Sequence, residues 1–255
     1  MSGAGAGFGY AQARMQARLG RTAGAPAVRH LREARSLPAY LHHVRNSPWS
    51  HHVAHLAPGM DAHELEHRLR DDWRATVEEV ARWQPSEWQP ALRWLAWLPW
   101  LPALQKLARG GRALALTRED EVLAGIVAAP PDARAARLDA TPLSPLREAV
   151  AAHGDVVAAW LVHWRGLWPA DAGARAGLEE LVVATRAAMH RLANDDADDA
   201  TERALGTYAR ALRRSFRRHP LSVRAAVAYL GLVALDLLEL RGAVAARAAF
   251  PVLPA

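Results

Sequence analysis

From His219 to Gly242 the chain reads His-Pro-Leu-Ser-Val-Arg-Ala-Ala-Val-Ala-Tyr-Leu-Gly-Leu-Val-Ala-Leu-Asp-Leu-Leu-Glu-Leu-Arg-Gly. Pro220 stands where a new helix would begin, and the Ser222 hydroxyl is placed to cap it. At helical spacing Val223, Val227, Leu230, Val233, Leu237 and Val244 share one side, so a core helix is expected here. Arg241 falls on that apolar side, about one turn beyond Leu237. A buried arginine must meet a carboxylate or backbone carbonyls, because an unpaired buried charge is very costly. Asp236 and Glu239 lie on a different side. Asp236, Glu239 and Arg241 are therefore expected to be structural charges, held at fixed places in an otherwise apolar helix.

The composition extends the helical reading to the whole chain. Ala, Leu and Arg dominate, while β-branched residues are sparse. The 255 residues suffice to bury a core as one large or two small domains. With no cysteine, disulfides, zinc–thiolate sites and thiol catalysis are excluded. Met1 to Gly7 lacks the basic start and apolar stretch of a signal peptide. The longest uncharged apolar run, Ala225 to Leu235, falls short of the roughly 20 residues that span a bilayer. A cytoplasmic protein with no direct membrane span is expected. The formal charge is +6, and Lys106 is the sole lysine. A GC-rich genome produces such an arginine bias without function; nucleic-acid binding would need the charge gathered on one face.

Periodicity and breakers divide the chain into about nine helical segments. They run from Phe8 to Arg21, Ala27 to Arg45, Asp61 to Trp83 and Trp88 to Trp97, the last interrupted by Pro99 and Pro102. A short helix opened by Thr117-Arg-Glu-Asp120 ends before Pro130-Pro131. Ser144 to Trp164, Ala174 to Leu192, Thr201 to His219 and the closing helix complete the set. Gly110-Gly111 is the best internal boundary, giving an N-terminal unit over 1–109 and a C-terminal unit over 110–255. A small-Pro-apolar stop after a helix recurs at Asn46-Ser47-Pro48-Trp49 and at Ala140-Thr141-Pro142-Leu143, a faint internal repeat.

Several patterns invite chemistry. His63-Glu64-Leu65-Glu66-His67 matches the zinc-protease pattern H-E-x-x-H. Its helix buries Leu65, Leu69, Trp73, Thr76, Val80 and Trp83, so His63 and His67 are expected to face water beside Arg70 and Arg74. No catalytic zinc is expected there. His42, His43, His51, His52 and His55 flank Ser47-Pro48-Trp49 with no carboxylate between Glu33 and Asp61, and read as an exposed turn. Trp83, Trp88, Trp94, Trp97 and Trp100 read as core, with a partner-facing or membrane-proximal surface as the alternative. Arg203, Arg210, Arg213, Arg214, Arg217 and Arg218 cover one side of a helix whose other side carries Leu205, Tyr208, Leu212 and Phe216. No phosphate-binding loop, nucleophile elbow or paired-carboxylate site is present, so no enzyme, cofactor or metal is expected.

Ala228-Tyr229-Leu230, Asp236-Leu237 and Glu239-Leu240-Arg241 together resemble the end of the C-subunit family of V/A-type ATPases, whose eukaryotic members are the d-type subunits. Phe8-Gly9-Tyr10-Ala11-Gln12-Ala13-Arg14-Met15-Gln16-Ala17-Arg18-Leu19 is similar to the family's opening helix. The segment from Leu37-Pro38-Ala39-Tyr40 to Ser47-Pro48-Trp49 is similar to its first helix-and-stop element. The resemblance implies an all-α bundle of related helical units, here shorter than the full three-unit architecture. It also implies a non-catalytic connector between the central stalk and the membrane proteolipid ring, peripheral to the inner membrane, transmitting torque for ion transport. The faces that would meet those partners are Arg14, Arg18 and Arg21 on the first helix and Arg210, Arg213, Arg214 and Arg217 on the penultimate one. A helical scaffold or nucleic-acid-binding protein unrelated to ATPases is the alternative.

Overall fold

The computed structural model describes residues 3–20, 31, 33–194 and 198–250, and all regular structure among them is helical. In chain order the α-helices are α1 (Gly3–Leu19), α2 (Leu37–Arg45), α3 (Ser50–Val53), α4 (Ala62–Trp83), α5 (Gln89–Trp94), α6 (Leu101–Ala108), α7 (Leu123–Ala128), α8 (Arg134–Leu138), α9 (Arg147–Ala151), α10 (Val156–Gly166), α11 (Ala172–Asn194), α12 (Asp198–Arg218) and α13 (Val223–Ala249). The longest 3-10 stretch, Leu95–Trp100, joins α5 to α6.

Helix α13 is the hub. It starts as expected at Ser222, whose Oγ accepts the Ala225 N–H at 3.3 Å. It packs on α12, α4, α11, α1 and α2. Val223, Leu230, Val233, Leu237 and Val244 are buried, but so are Ala225, Ala226, Tyr229, Leu232 and Leu240. The expected single apolar side is thus only part of a helix covered nearly all round. Gly231 allows α12 its close approach: a Cβ there would stand 2.9 Å from Leu212 Cδ1.

That covering reverses one expectation. The Arg241 side chain is 47% exposed and reaches Glu66 Oε1 of α4 at 3.5 Å. The buried arginine of this helix is Arg247, 6% exposed. Its Nε donates to the Ala34 carbonyl at 2.7 Å, Nη1 donates to the Ala243 carbonyl at 2.9 Å, and the guanidinium lies 4.3 Å from the centre of the Tyr40 ring. The sequence alone cannot tell which arginine the preceding segment reaches.

Three helix boundaries also differ. Helix α2 does not continue from the preceding residues: Ser36 caps it, with Pro38 in the first turn where a missing N–H is harmless. The part of that expectation over 27–30 lies outside the described residues. Between Ser144 and Trp164 the chain breaks at His153 (φ 53°) and Gly154, and Asp155 caps α10 by accepting from Ala158 N–H at 3.0 Å. After Trp94 the helix tightens to 3-10 geometry ahead of Pro99.

The tryptophans of α4–α6 are core, as expected: Trp83, Trp88, Trp94, Trp97 and Trp100 are all buried. Their indole N–H groups tie layers together where they find carbonyls. Trp94 donates to Trp160 O at 3.2 Å, and Trp164 of α10 donates back to Ala91 O at 2.8 Å. Gly110-Gly111 closes α6 with a Schellman pair, Gly111 N–H to Lys106 O at 2.9 Å and Gly110 N–H to Leu107 O at 3.1 Å. Gly110 supplies the left-handed φ of 75°. The buried apolar cluster runs on both sides of this turn, from Ala11 to Val244.

Candidate functional site

Between α4, α6, α10, α11, α12 and α13 the helices leave a cavity of about 1010 Å³. Trp73, Leu161, Leu230 and Leu235 form part of its apolar wall. Its mouth carries Leu98, Val157, Met189 and Leu238, which are 37%, 46%, 61% and 46% exposed. Large apolar side chains left open to water around one concavity are the arrangement from which ligand and partner sites are commonly built.

The charged residues of the lining are all cations. Arg70, Lys106, Arg109, Arg186 and Arg241 reach the cavity, and no Asp or Glu does. Arg70 departs from the expected exposed face of α4: it is 7% exposed and lies 4.4 Å from the centre of the Trp100 ring. Helix α4 is covered there by the Leu95–Trp100 stretch, which its own periodicity could not reveal. Arg70 Nη2 donates to Glu66 at 2.7 Å, and burial pulls its pKa below the ordinary value. Its Nε and Nη1 have no acceptor, nor has Trp160 Nε1. Tyr208 and Thr185 add hydroxyls. Thr185 donates to Leu181 O at 2.8 Å, so the 2.6 Å contact leaves Tyr208 as donor to Thr185; burial raises the phenol pKa, consistent with a neutral donor.

The arginine faces expected from the sequence differ in what they meet. Arg18 donates twice to the Glu79 carboxylate, at 2.8 and 2.7 Å, and sits 4.9 Å from the Trp83 ring centre. Arg14 lies 3.7 Å from the same carboxylate. Arg18 is thus turned onto α4, Arg14 stays about half exposed beside the same carboxylate, and Arg21 lies outside the described residues. Arg210, Arg213, Arg214 and Arg217 stand exposed on α12, opposite buried Leu212 and Phe216. His63 is exposed, and His67 Nδ1 pairs with Asp71 at 3.0 Å. Among the described residues no three His, Asp or Glu side chains converge as metal ligands would.

His52 is not part of an exposed turn. It is 2% exposed and its Nδ1 pairs with Asp72 of α4, a carboxylate distant in sequence. Nearby, Asp236 accepts from the Trp49 indole and faces His52, Arg213 and Glu239; burial above all pushes its carboxyl pKa up from 3.8 to about 6. The folded protein therefore holds this proton to higher pH than the unfolded chain does. The associated stability is complete below about pH 4 and lost as pH rises through about 6. Asp236→Asn, which retains an acceptor for Trp49, should gain stability relative to the parent between those limits and keep the gain at neutral pH. Urea midpoints at several pH values check this; a pH-independent difference would refute it.

No protein-family model, no curated protein and no solved structure matches this chain. The cleft was not legible in the sequence. Its one signal was the surplus of apolar residues on α10 and α13 beyond what one buried stripe requires, Val157 and Leu238 among them.

Proposed function

We propose that the chain is a non-catalytic helical binding protein whose working site is the cleft between α4, α6, α10, α11, α12 and α13. The observation that carries this reading is the ring of exposed apolar side chains, Leu98, Val157, Met189 and Leu238, around a single large cavity. A neutral apolar dye, Nile red, should enter at one saturable site. Val157→Asp with Leu238→Asp, both at exposed positions, should weaken its uptake roughly tenfold while leaving the helical circular dichroism unchanged. A folded protein that takes up no dye would sink the proposal.

One observation favours a second reading, the connector of a V/A-type rotary ATPase. Helices α1 and α2, which carry the front of the resemblance, both pack on α13, which carries its end. On this reading the cleft is the socket for the central stalk, the proteolipid ring is the second partner, and the exposed arginines of α12 meet acidic surfaces. Pull-down from membranes tests it against binding to random duplex DNA. Recovery of ATPase subunits, weakened by Arg210→Glu with Arg214→Glu, supports the connector. Tight DNA binding with no such subunits overturns it.

A further inference from the structure

We infer that the cleft takes a single-chain amphipathic anion, a long apolar chain ending in a carboxylate-class head. The inference rests on the cleft being a binding site and adds what the ligand must be.

The charge inventory is one-sided. All five charged residues on the cavity wall, Arg70, Lys106, Arg109, Arg186 and Arg241, are cations. The nearest neutralising group, Glu66, is shared: Arg70 Nη2 reaches its Oε1 at 2.7 Å and Arg241 Nε at 3.5 Å, so one carboxylate serves two guanidinium groups. Among the described residues, Lys106 and Arg109 form no ion pair. An anion entering here therefore meets an excess of positive charge, five cations on the wall against the one shared Glu66 carboxylate behind Arg70 and Arg241.

The hydrogen-bonding inventory is one-sided too. Arg70, 7% exposed, has two N–H groups without an acceptor, at Nε and Nη1, and Trp160, 4% exposed, has a third. Buried donors left unmet are costly, and native interiors leave few of them. The Trp100 ring covers the face of the Arg70 guanidinium, so what is left to a ligand is its edge, where acceptor oxygens bind. A carboxylate supplies oxygens and charge at once; an alcohol supplies a weaker acceptor, and an amine adds like charge.

Cavity size selects an extended chain. A three-turn peptide helix, about 10 Å across with its side chains and about 16 Å long, occupies roughly 1,300 Å³. The cavity holds about 1010 Å³, at the upper end of the roughly 300–1,000 Å³ typical of small-ligand pockets. Against the apolar wall of Trp73, Leu161, Leu230 and Leu235, an unbranched hydrocarbon chain loses no hydrogen bonds on entry.

The test displaces bound Nile red with three monomeric ligands of one chain type: oleate, oleyl alcohol and oleylamine. Oleate should displace the dye roughly tenfold more tightly than the alcohol, with the amine weakest. Arg70→Gln should erase most of oleate's advantage and leave the alcohol unchanged. Because Arg70 is buried, Lys106→Gln with Arg109→Gln, at two exposed positions, is the companion variant; it should lower oleate affinity and its salt dependence without touching the alcohol. Equal displacement by oleate and alcohol would overturn the anionic head while leaving the cleft as an apolar site. Dye uptake with no displacement by any of the three would overturn the single-chain ligand. Failure of Nile red itself to bind would remove the underlying reading instead.

Discussion

Asp120→Ala is expected to lower the free energy of unfolding by about 3–5 kcal/mol, a large part of what holds a domain folded. The Asp120 side chain has no exposure, and its Oδ2 stands 2.6 Å from Arg74 Nη2. Its Oδ1 also accepts the Val122 and Leu123 N–H groups, at 3.1 and 2.9 Å, at the start of α7. Alanine would remove the cap and leave the Arg74 guanidinium facing the Trp97 and Trp100 rings, 4.7 and 5.2 Å from their centres, without its counter-ion. Breaking a buried pair from one side costs far more than the pair itself contributes, because the orphaned charge stays in a poor solvent. Asp120→Asn retains an acceptor for the cap but not the charge, so an intermediate loss is expected. Urea denaturation measures both; a loss under about 1 kcal/mol for the alanine variant would show that Arg74 reaches water once unpaired.

Arg247→Ala should cost about 3 kcal/mol, because it removes two charged hydrogen bonds to carbonyls and a cation–π interaction at one stroke. Its bond to Ala34 O matters most, since it ties α13 to the segment that leads into α2. Arg241→Ala should stay within about 1 kcal/mol, because a half-exposed pair is screened and easily replaced by water. Thermal or urea unfolding of the two variants side by side is decisive. Equal losses would mean that Arg247 is no more structural than its exposed neighbour.

Helix identity was largely legible in the residues. The caps Asp61 and Ser222 are where the sequence placed them, and Asp61 Oδ1 accepts from His63 and Glu64 N–H, both at 2.8 Å. The basic and apolar sides of α12 are those expected, because that helix meets neighbours on one side only. Breaks were less legible. The break between α9 and α10 turns on His153 adopting a left-handed φ of 53°, which a histidine does rarely and no pattern announces.

Which polar side chains are buried was illegible for a physical reason that Arg70, which lines the cleft, shares with Arg247 and His52, which do not. Each is buried because a second element covers it: the Leu95–Trp100 stretch over Arg70 on the polar side of α4, the approach to α2 beside Arg247, and α4 against His52 through Asp72. Local patterning records the one face a helix must hide. It cannot record a second face, because a charged side chain is tolerated there only when a partner far away in sequence meets it.

By itself the sequence determined an all-α chain, the positions of its longest helices, a tryptophan-rich core and an arginine face on α12. These follow from spacing, caps and breakers, which act over a few residues. Only the tertiary structure decided which arginines are buried, that Arg18 directs its charge at Glu79, and that six helices leave an apolar, cation-lined cleft between them. Those outcomes depend on how helices cross and what each then covers, and crossing is set by packing between residues distant in the chain.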